Sequence, residues 1–197
     1  MELLSPAGDW EALRAAVQNG ADAVYLGGSM GNARAGAVNF DTDNLCRALD
    51  YCHERGVKLY LTANTLLFDE EFRSLREMIE PAVRFGLDAA IVQDLGVAAF
   101  LRNHYPDLKL HASTQMCISN LQGARFAKEL GFSRVVPARE CSLAELEKMV
   151  HEGIEVECFG HGALCVSFSG QCYLSSFIGA RSGNRGNAPS HAVCNTY

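Results

Sequence analysis

The chain repeats one module. A short apolar run rich in β-branched or aromatic residues is followed by a loop, a segment of helical periodicity and then a glycine. The apolar runs are ELLS (2–5), AVYLGG (23–28), KLYLTAN (58–64), AAIVQD (89–94), KLHAST (109–114), RVVPAR (134–139) and EVECFG (155–160). Short, largely continuous apolar runs of this kind fit strands buried on both faces of a parallel sheet. Between them, Trp10, Leu13 and Val17 share one helical face, as do Phe72, Leu75, Ile79 and Val83. Ser142 and Glu145 have the spacing of a capping box, so a helix begins there. Gly20, Gly56, Gly86, Gly131 and Gly153 each stand between a helix and the next strand, where a left-handed residue ends the helix.

Alternating strands and helices imply a parallel sheet with helical crossovers. The fold class expected is α/β: a (β/α)8 TIM-like barrel truncated at about seven strands, one for each apolar run. An open doubly wound sheet is the alternative, and the lack of a G-x-G-x-x-G after the first strand weighs against it. In a barrel, chemistry sits at the C-terminal ends of the strands. That rule selects Asn64, Gln93, His111, Ser113, Gln115, Arg139 and Glu140 as candidate substrate-binding residues. The competing reading of each is a helix cap or a loop hydrogen bond. The loop GGSMGNARAGAVNF (27–40) follows the second strand and is placed to help cover such a site. Pro137 inside the sixth run requires a bulge or a strand end, because it has no N–H to give to the ladder.

Composition narrows the setting. The chain is 48% hydrophobic and 20% charged, as expected of a globular domain. A net charge of −6 disfavours nucleic-acid binding by bulk charge but allows a local basic cleft. Arg34, Arg139, Arg181 and Arg185 either meet phosphates or pair with acidic neighbours. No apolar run reaches the roughly 20 residues of a membrane span. The start, MELLSPAGDWEALR, has no basic n-region or apolar h-region, so no secretion signal and a cytoplasmic location are expected.

Eight cysteines without an export signal read as reduced thiols or as metal ligands. Cys165 and Cys172 lie seven residues apart in the small-residue stretch GHGALCVSFSGQCYLSS (160–176). Thiolates there suit zinc or an iron–sulfur cluster, although both usually take four ligands. Packed, inert thiols are the other reading. Cys46, Cys52, Cys117 and Cys141 read as structural. Cys158 reads as a core thiol, because it alternates out of register with Glu157 and Phe159. Glu157 and His161 are candidate catalytic residues: a carboxylate on the last strand, and an imidazole on the same face if that strand extends far enough. No H-E-x-x-H motif is present.

The run ECFGHGALCVSFSGQCYLS (157–175) resembles the signature of the peptidase U32 family throughout. ELLSPAGDWEALRAAVQNGADAVYLGG, VQDLGV, HASTQ, ARE and ARSGNRG (180–186) are similar to further landmarks of that family. The resemblance implies either a collagenase-like peptidase or an oxygen-independent hydroxylation factor acting on ribosomal RNA, tRNA or ubiquinone precursors. HASTQ and HGALCVSFSGQCY look nearest to the ribosomal RNA branch. For RNA-acting members it implies RNA as partner, prephenate as a co-substrate and a [4Fe–4S] cluster held by four cysteines. Cys165 and Cys172 match two of the cluster positions. No membrane partner is implied.

The resemblance stops after Gly186, which sets the expected domains: residues 1–186 as an incomplete U32-family barrel and 187–197 as a tail outside the family. Family members continue with roughly x-Cys-Ala-Gln-Pro-Cys-Arg-Leu-x-Tyr, whereas this chain reads NAPSHAVCNTY. Codons for Cys-Ala-Gln-Pro-Cys-Arg-Leu-Gln-Tyr-Leu, read one base later, translate without mismatch to residues 188–197. The tail is therefore expected to be out of frame, a divergent terminus being the alternative. Such a product would be poorly stable and would lack a normally assembled cluster, so an inactive barrel fragment stands as a further functional reading. Sequencing the DNA across codons 184–197 is expected to show that a one-base change restores Cys-Ala-Gln-Pro-Cys and an open frame. Stoichiometric iron and sulfide in the anaerobically purified 197-residue chain would contradict the expected lack of a normally assembled cluster.

Overall fold

The computed structural model describes residues 1–33, 39–162, 165 and 167–171. Expectations for Arg34, Cys172, Arg181, Arg185 and the tail fall outside the described residues.

Strands and helices alternate as the repeated module requires: β1 (Leu4–Pro6), α1 (Trp10–Gln18), β2 (Ala23–Gly27), α2 (Thr42–His53), β3 (Lys58–Ala63), α3 (Phe72–Arg84), β4 (Ala89–Val92), α4 (Leu95–His104), β5 (Lys109–Ala112), α5 (Leu121–Glu129), β6 (Arg134–Val135) and α6 (Leu143–His151). Side chains start the helices. Asp9, Asp41, Asp94, Asn120 and Ser142 each accept a hydrogen bond from a first-turn N–H, and Ser142 and Glu145 close the expected capping box. The five glycines between helices and strands all have positive φ, from 68° at Gly153 to 89° at Gly86 and Gly131. Each helix thus ends where the sequence places a residue free to turn left-handed.

The six strands form one parallel sheet in the order β1-β2-β3-β4-β5-β6. Strands adjacent in sequence are adjacent in space, with no reversal of order, so the doubly wound alternative is excluded. The sheet also curls. Arg134 on β6 reaches back to Glu2, just before β1, with Nη1 2.7 Å from the carboxylate Oε1. A six-stranded sheet whose last strand touches the approach to its first is a half-barrel, as expected of a truncated TIM-like architecture.

The expected seventh strand is present only as a single parallel bridge between Val135 and Val156. Val135 N–H donates to Glu155 and Glu157 N–H donates to Val135, and the pairing ends there. Pro137 explains the shortness of β6: it sits just beyond the strand end and offers its partner no N–H. Cys158 is accordingly exposed rather than packed in a core. With the pairing reduced to one bridge, strand alternation no longer drives it inward. Cys52 is fully buried, and Cys46, Cys117 and Cys141 are partly buried, in line with structural roles.

Period-2 alternation divides the apolar residues into two layers. Val24, Leu26, Leu59, Leu61, Ala90, Val92 and Leu110 face outward and pack against Leu13, Leu45, Leu49, Leu75, Ile79, Leu101 and Met149. Ala23, Tyr60, Ala89 and Ile91 face inward, with Leu4 and Tyr25 packed on them. No described helix is long and apolar enough to cross a membrane. Leu61 is fully buried in the outer layer. Its replacement by alanine is expected to cost about 2–5 kcal/mol, read as a lower urea midpoint with little change in slope.

Candidate active site

The inner layer decides what occupies the half-barrel. Below its mouth lies a charged cluster rather than an apolar plug. Arg134, 7% exposed, is ion-paired to Glu2, Glu155 and Glu157. Its Nη1 lies 2.7 Å from Glu2 and 3.4 Å from Glu157, and its Nε lies 2.8 Å from Glu155. Tyr60 donates its hydroxyl to Glu2 at 2.8 Å, and Lys58 reaches the other Glu2 oxygen at 2.8 Å. Burial acts to raise the Glu2 carboxyl, but hydrogen bonds from Arg134, Lys58 and Tyr60 outweigh it and hold the group at about 2.

His111 belongs to the same interior. It packs edge-on to Tyr60, with ring centroids 4.8 Å apart. Burial first, and the Arg134 charge second, lower its imidazole to about 3. It is therefore neutral at physiological pH. Its Nδ1 and the Gln93 Oε1 are buried without a hydrogen-bond partner among the described residues.

Above this cluster, at the C-terminal ends of the strands, opens a cavity of about 280 Å³. That volume is near the lower end of the range for small-ligand sites. Asn64, Ser113, Gln115 and Glu157 from the sequence-based set all line it, together with Tyr25 and Phe159. Each comes from the end of a strand or the residues just after it. Asn64 accepts a hydrogen bond from Ala33 N–H at 3.1 Å, fixing its amide against the loop after β2. Ser113 is 1% exposed, and its hydroxyl accepts from Gln115 N–H, so its role is partly that of a cap. Glu157 is the one carboxylate among the lining residues. Burial raises its pKa, and the neighbouring charge of Arg134 only partly opposes this.

Arg139, Glu140, His161 and Cys165 do not line the cavity. Arg139 and Glu140 instead hold the cysteine loop. Arg139 donates to the Cys165 carbonyl at 3.0 Å, to the Ser167 carbonyl at 2.7 Å and to the Ser169 hydroxyl at 3.3 Å. Glu140 accepts from Ser169 N–H at 3.1 Å. Gly170 completes the seam: a Cβ there would lie 2.3 Å from the Gln115 carbonyl. The loop is therefore pinned beside Gln115, at the rim of the cavity. His161 is exposed in a bend before this loop, because the strand does not continue far enough to turn it inward.

The cysteine loop presents one described thiol, Cys165, which is exposed. Among the described residues, no group of three or more His, Cys, Asp or Glu side chains is arranged to hold a metal ion. The described residues thus do not make the four-thiolate set of a [4Fe–4S] cluster.

Sequence reasoning missed Asn32, Asn39 and Thr62, which also line the cavity. The position of the 27–40 loop after the second strand carried a signal for the two asparagines. Arg134 was missed because a charge at the start of an apolar run looks like a strand end, and nothing local announces three carboxylates arriving from elsewhere. Arg139→Ala removes three side-chain hydrogen bonds from a cation, each worth about 1.5–3 kcal/mol. The variant is expected to cleave faster between residues 160 and 171 in limited proteolysis, with the helices still protected. Unchanged cleavage would show that the seam does not hold the loop.

Comparison with known proteins agrees with this architecture. The family model described as peptidase family U32 matches residues 8–192. The chain is 41% identical over 189 residues to the Escherichia coli 23S rRNA 5-hydroxycytidine C2501 synthase, covering 95% of this chain and 28% of that protein. It is 38% identical over 186 residues to the Bacillus subtilis tRNA hydroxylation protein P1, covering 94% and 44%. It is also 38% identical over 199 residues to a Porphyromonas gingivalis collagenase, covering 94% and 47%. The chain thus spans less than half the length of these relatives. Among solved structures, the U32 peptidase Mk0906 superposes with a TM-score of 0.65 at 17% identity, over 80% of this chain and 67% of that one, which is a likeness of fold. The half-barrel, its cavity and the cysteine loop are those of a protein that belongs to peptidase family U32.

Proposed function

We propose that this chain carries the base-binding part of an RNA base hydroxylation protein. The observation that carries the reading is the lining of the cavity at the strand ends. Tyr25 and Phe159 offer aromatic surface, Asn64 and Gln115 offer amides, and Glu157 offers one carboxylate. Aromatic rings stack on unstacked bases, and amide side chains match the donor and acceptor pattern of base edges. Two relatives named for hydroxylation of ribosomal RNA and tRNA support the same reading.

The chemistry divides between this cavity and groups beyond it. Exchanging a ring C–H for C–OH with oxygen from water releases two protons and two electrons. Glu157 is placed to accept a proton, and its raised pKa suits a group that must both take and return one. The electron acceptor and oxygen donor come from outside the described residues. Water supplies the oxygen, and for the two-electron acceptor we propose the prephenate co-substrate implied by the family resemblance; the [4Fe–4S] cluster that the resemblance also implies would draw its remaining thiolates from beyond the described residues.

The test is the nucleoside composition of ribosomal RNA and tRNA, measured by mass spectrometry in cells lacking the gene. One hydroxylated nucleoside is expected to disappear and to return with the wild-type gene. Glu157→Gln is expected to lower the hydroxylation rate roughly 100-fold or more. If all hydroxylated nucleosides persist while cleavage of collagen-like peptides is lost, the proposal fails, and the activity named for the collagenase relative takes its place.

A further inference from the structure

Arg134 serves three carboxylates unequally. Glu2 is held at 2.7 Å by Nη1, and Glu155 is engaged by both Nε and Nη2. Glu157 receives only the longer contact of 3.4 Å from Nη1. Glu2 has two further donors, Tyr60 and Lys58. Glu155 is more than half exposed and shares in solvent, whereas the Glu157 side chain is 18% exposed. So the carboxylate that lines the cavity is also the least compensated of the trio.

We infer that Arg134 is a positioning residue for Glu157: by committing its guanidinium to Glu2 and Glu155, it leaves the cavity-facing carboxylate as the member of the trio that exchanges a proton. The inference rests on reading the cavity as the hydroxylation site. The charged groups nearest Glu157 are Arg134 from β6, Glu2 from the segment before β1 and Glu155 from its own segment. Tyr60 and Lys58 on β3 act through Glu2, and His111 on β5 sits in the same interior. Burial raises the Glu157 carboxyl, and the charges of Glu2 and Glu155 add to this against Arg134. A proton on Glu157 is thus retained to higher pH than on an ordinary glutamate. The stability contributed by the protonated form is present at low pH and is lost as pH rises through the raised value.

The experiment follows the side-chain carboxyl carbon of Glu157 by NMR across a pH titration of the full chain, in wild type and in Glu155→Gln. Removing Glu155 takes away a like charge and frees Arg134 for Glu157. The midpoint is expected to fall by roughly one pH unit or more. An unchanged midpoint overturns the inference whatever the activity does. Arg134→Met is expected to move the midpoint the other way; should that variant fail to fold, Glu155→Gln still decides. The pH profile of RNA hydroxylation then separates the two levels. A profile that moves with the Glu155→Gln midpoint supports both the linkage and the assigned role. A midpoint that moves under a fixed profile supports the linkage and overturns the role of Glu157 in the reaction.

Discussion

Arg134 is the interaction on which the rest of the structure turns. It is nearly buried, it lies on the last regular strand described, and it reaches Glu2 at the other end of the sheet. The contact spans 132 residues of sequence and fixes how far the sheet curls. A buried charge without partners is costly, and stripping one partner from a buried pair typically costs about 3–5 kcal/mol. Three carboxylates arriving from two separate stretches therefore impose a strong condition on the closure of the half-barrel. The same condition sets the electrostatics under the cavity: Glu2 is held ionised, His111 is held neutral, and Glu157 is left with a raised pKa.

The cavity and the cysteine loop are built by different devices. The cavity uses residues at strand ends, whose positions follow from sheet register. Tyr25 stands level with Tyr60 across β2 and β3, and Ile91 with His111 across β4 and β5. The loop is held by side chains of Arg139 and Glu140, which grip carbonyls, a hydroxyl and an amide. This places Cys165 beside the cavity rather than within it. It also gives Arg139 a role other than meeting phosphate, since its guanidinium is occupied by the loop backbone and Ser169.

Much of the fold was legible because it repeats. Apolar runs, helical faces and five left-handed glycines each marked the module, and the first six runs became strands in the expected order. Pro137 correctly marked a strand end. The seventh strand and the burial of Cys158 were misjudged for one reason: a run of residues suited to a strand forms one only where a partner offers hydrogen bonds, and β6 is too short to do so. Four of the nine proposed substrate-binding and catalytic residues tell the same story in reverse. Asn64, Ser113, Gln115 and Glu157 reach the cavity because strand register carries them there, whereas Arg139 and Glu140 are claimed by a loop that arrives from later in the chain.

The central claim is that the cavity at the strand ends receives a base. The most direct test is an NMR titration of the protein, labelled at the Asn and Gln side-chain amides, with short single-stranded RNA. The account predicts that the Asn64 and Gln115 amides shift, while Gln18 and Gln122 on the outer helices do not. Shifts confined to the outer helices, or cavity shifts produced by a collagen-like peptide and not by RNA, would contradict it.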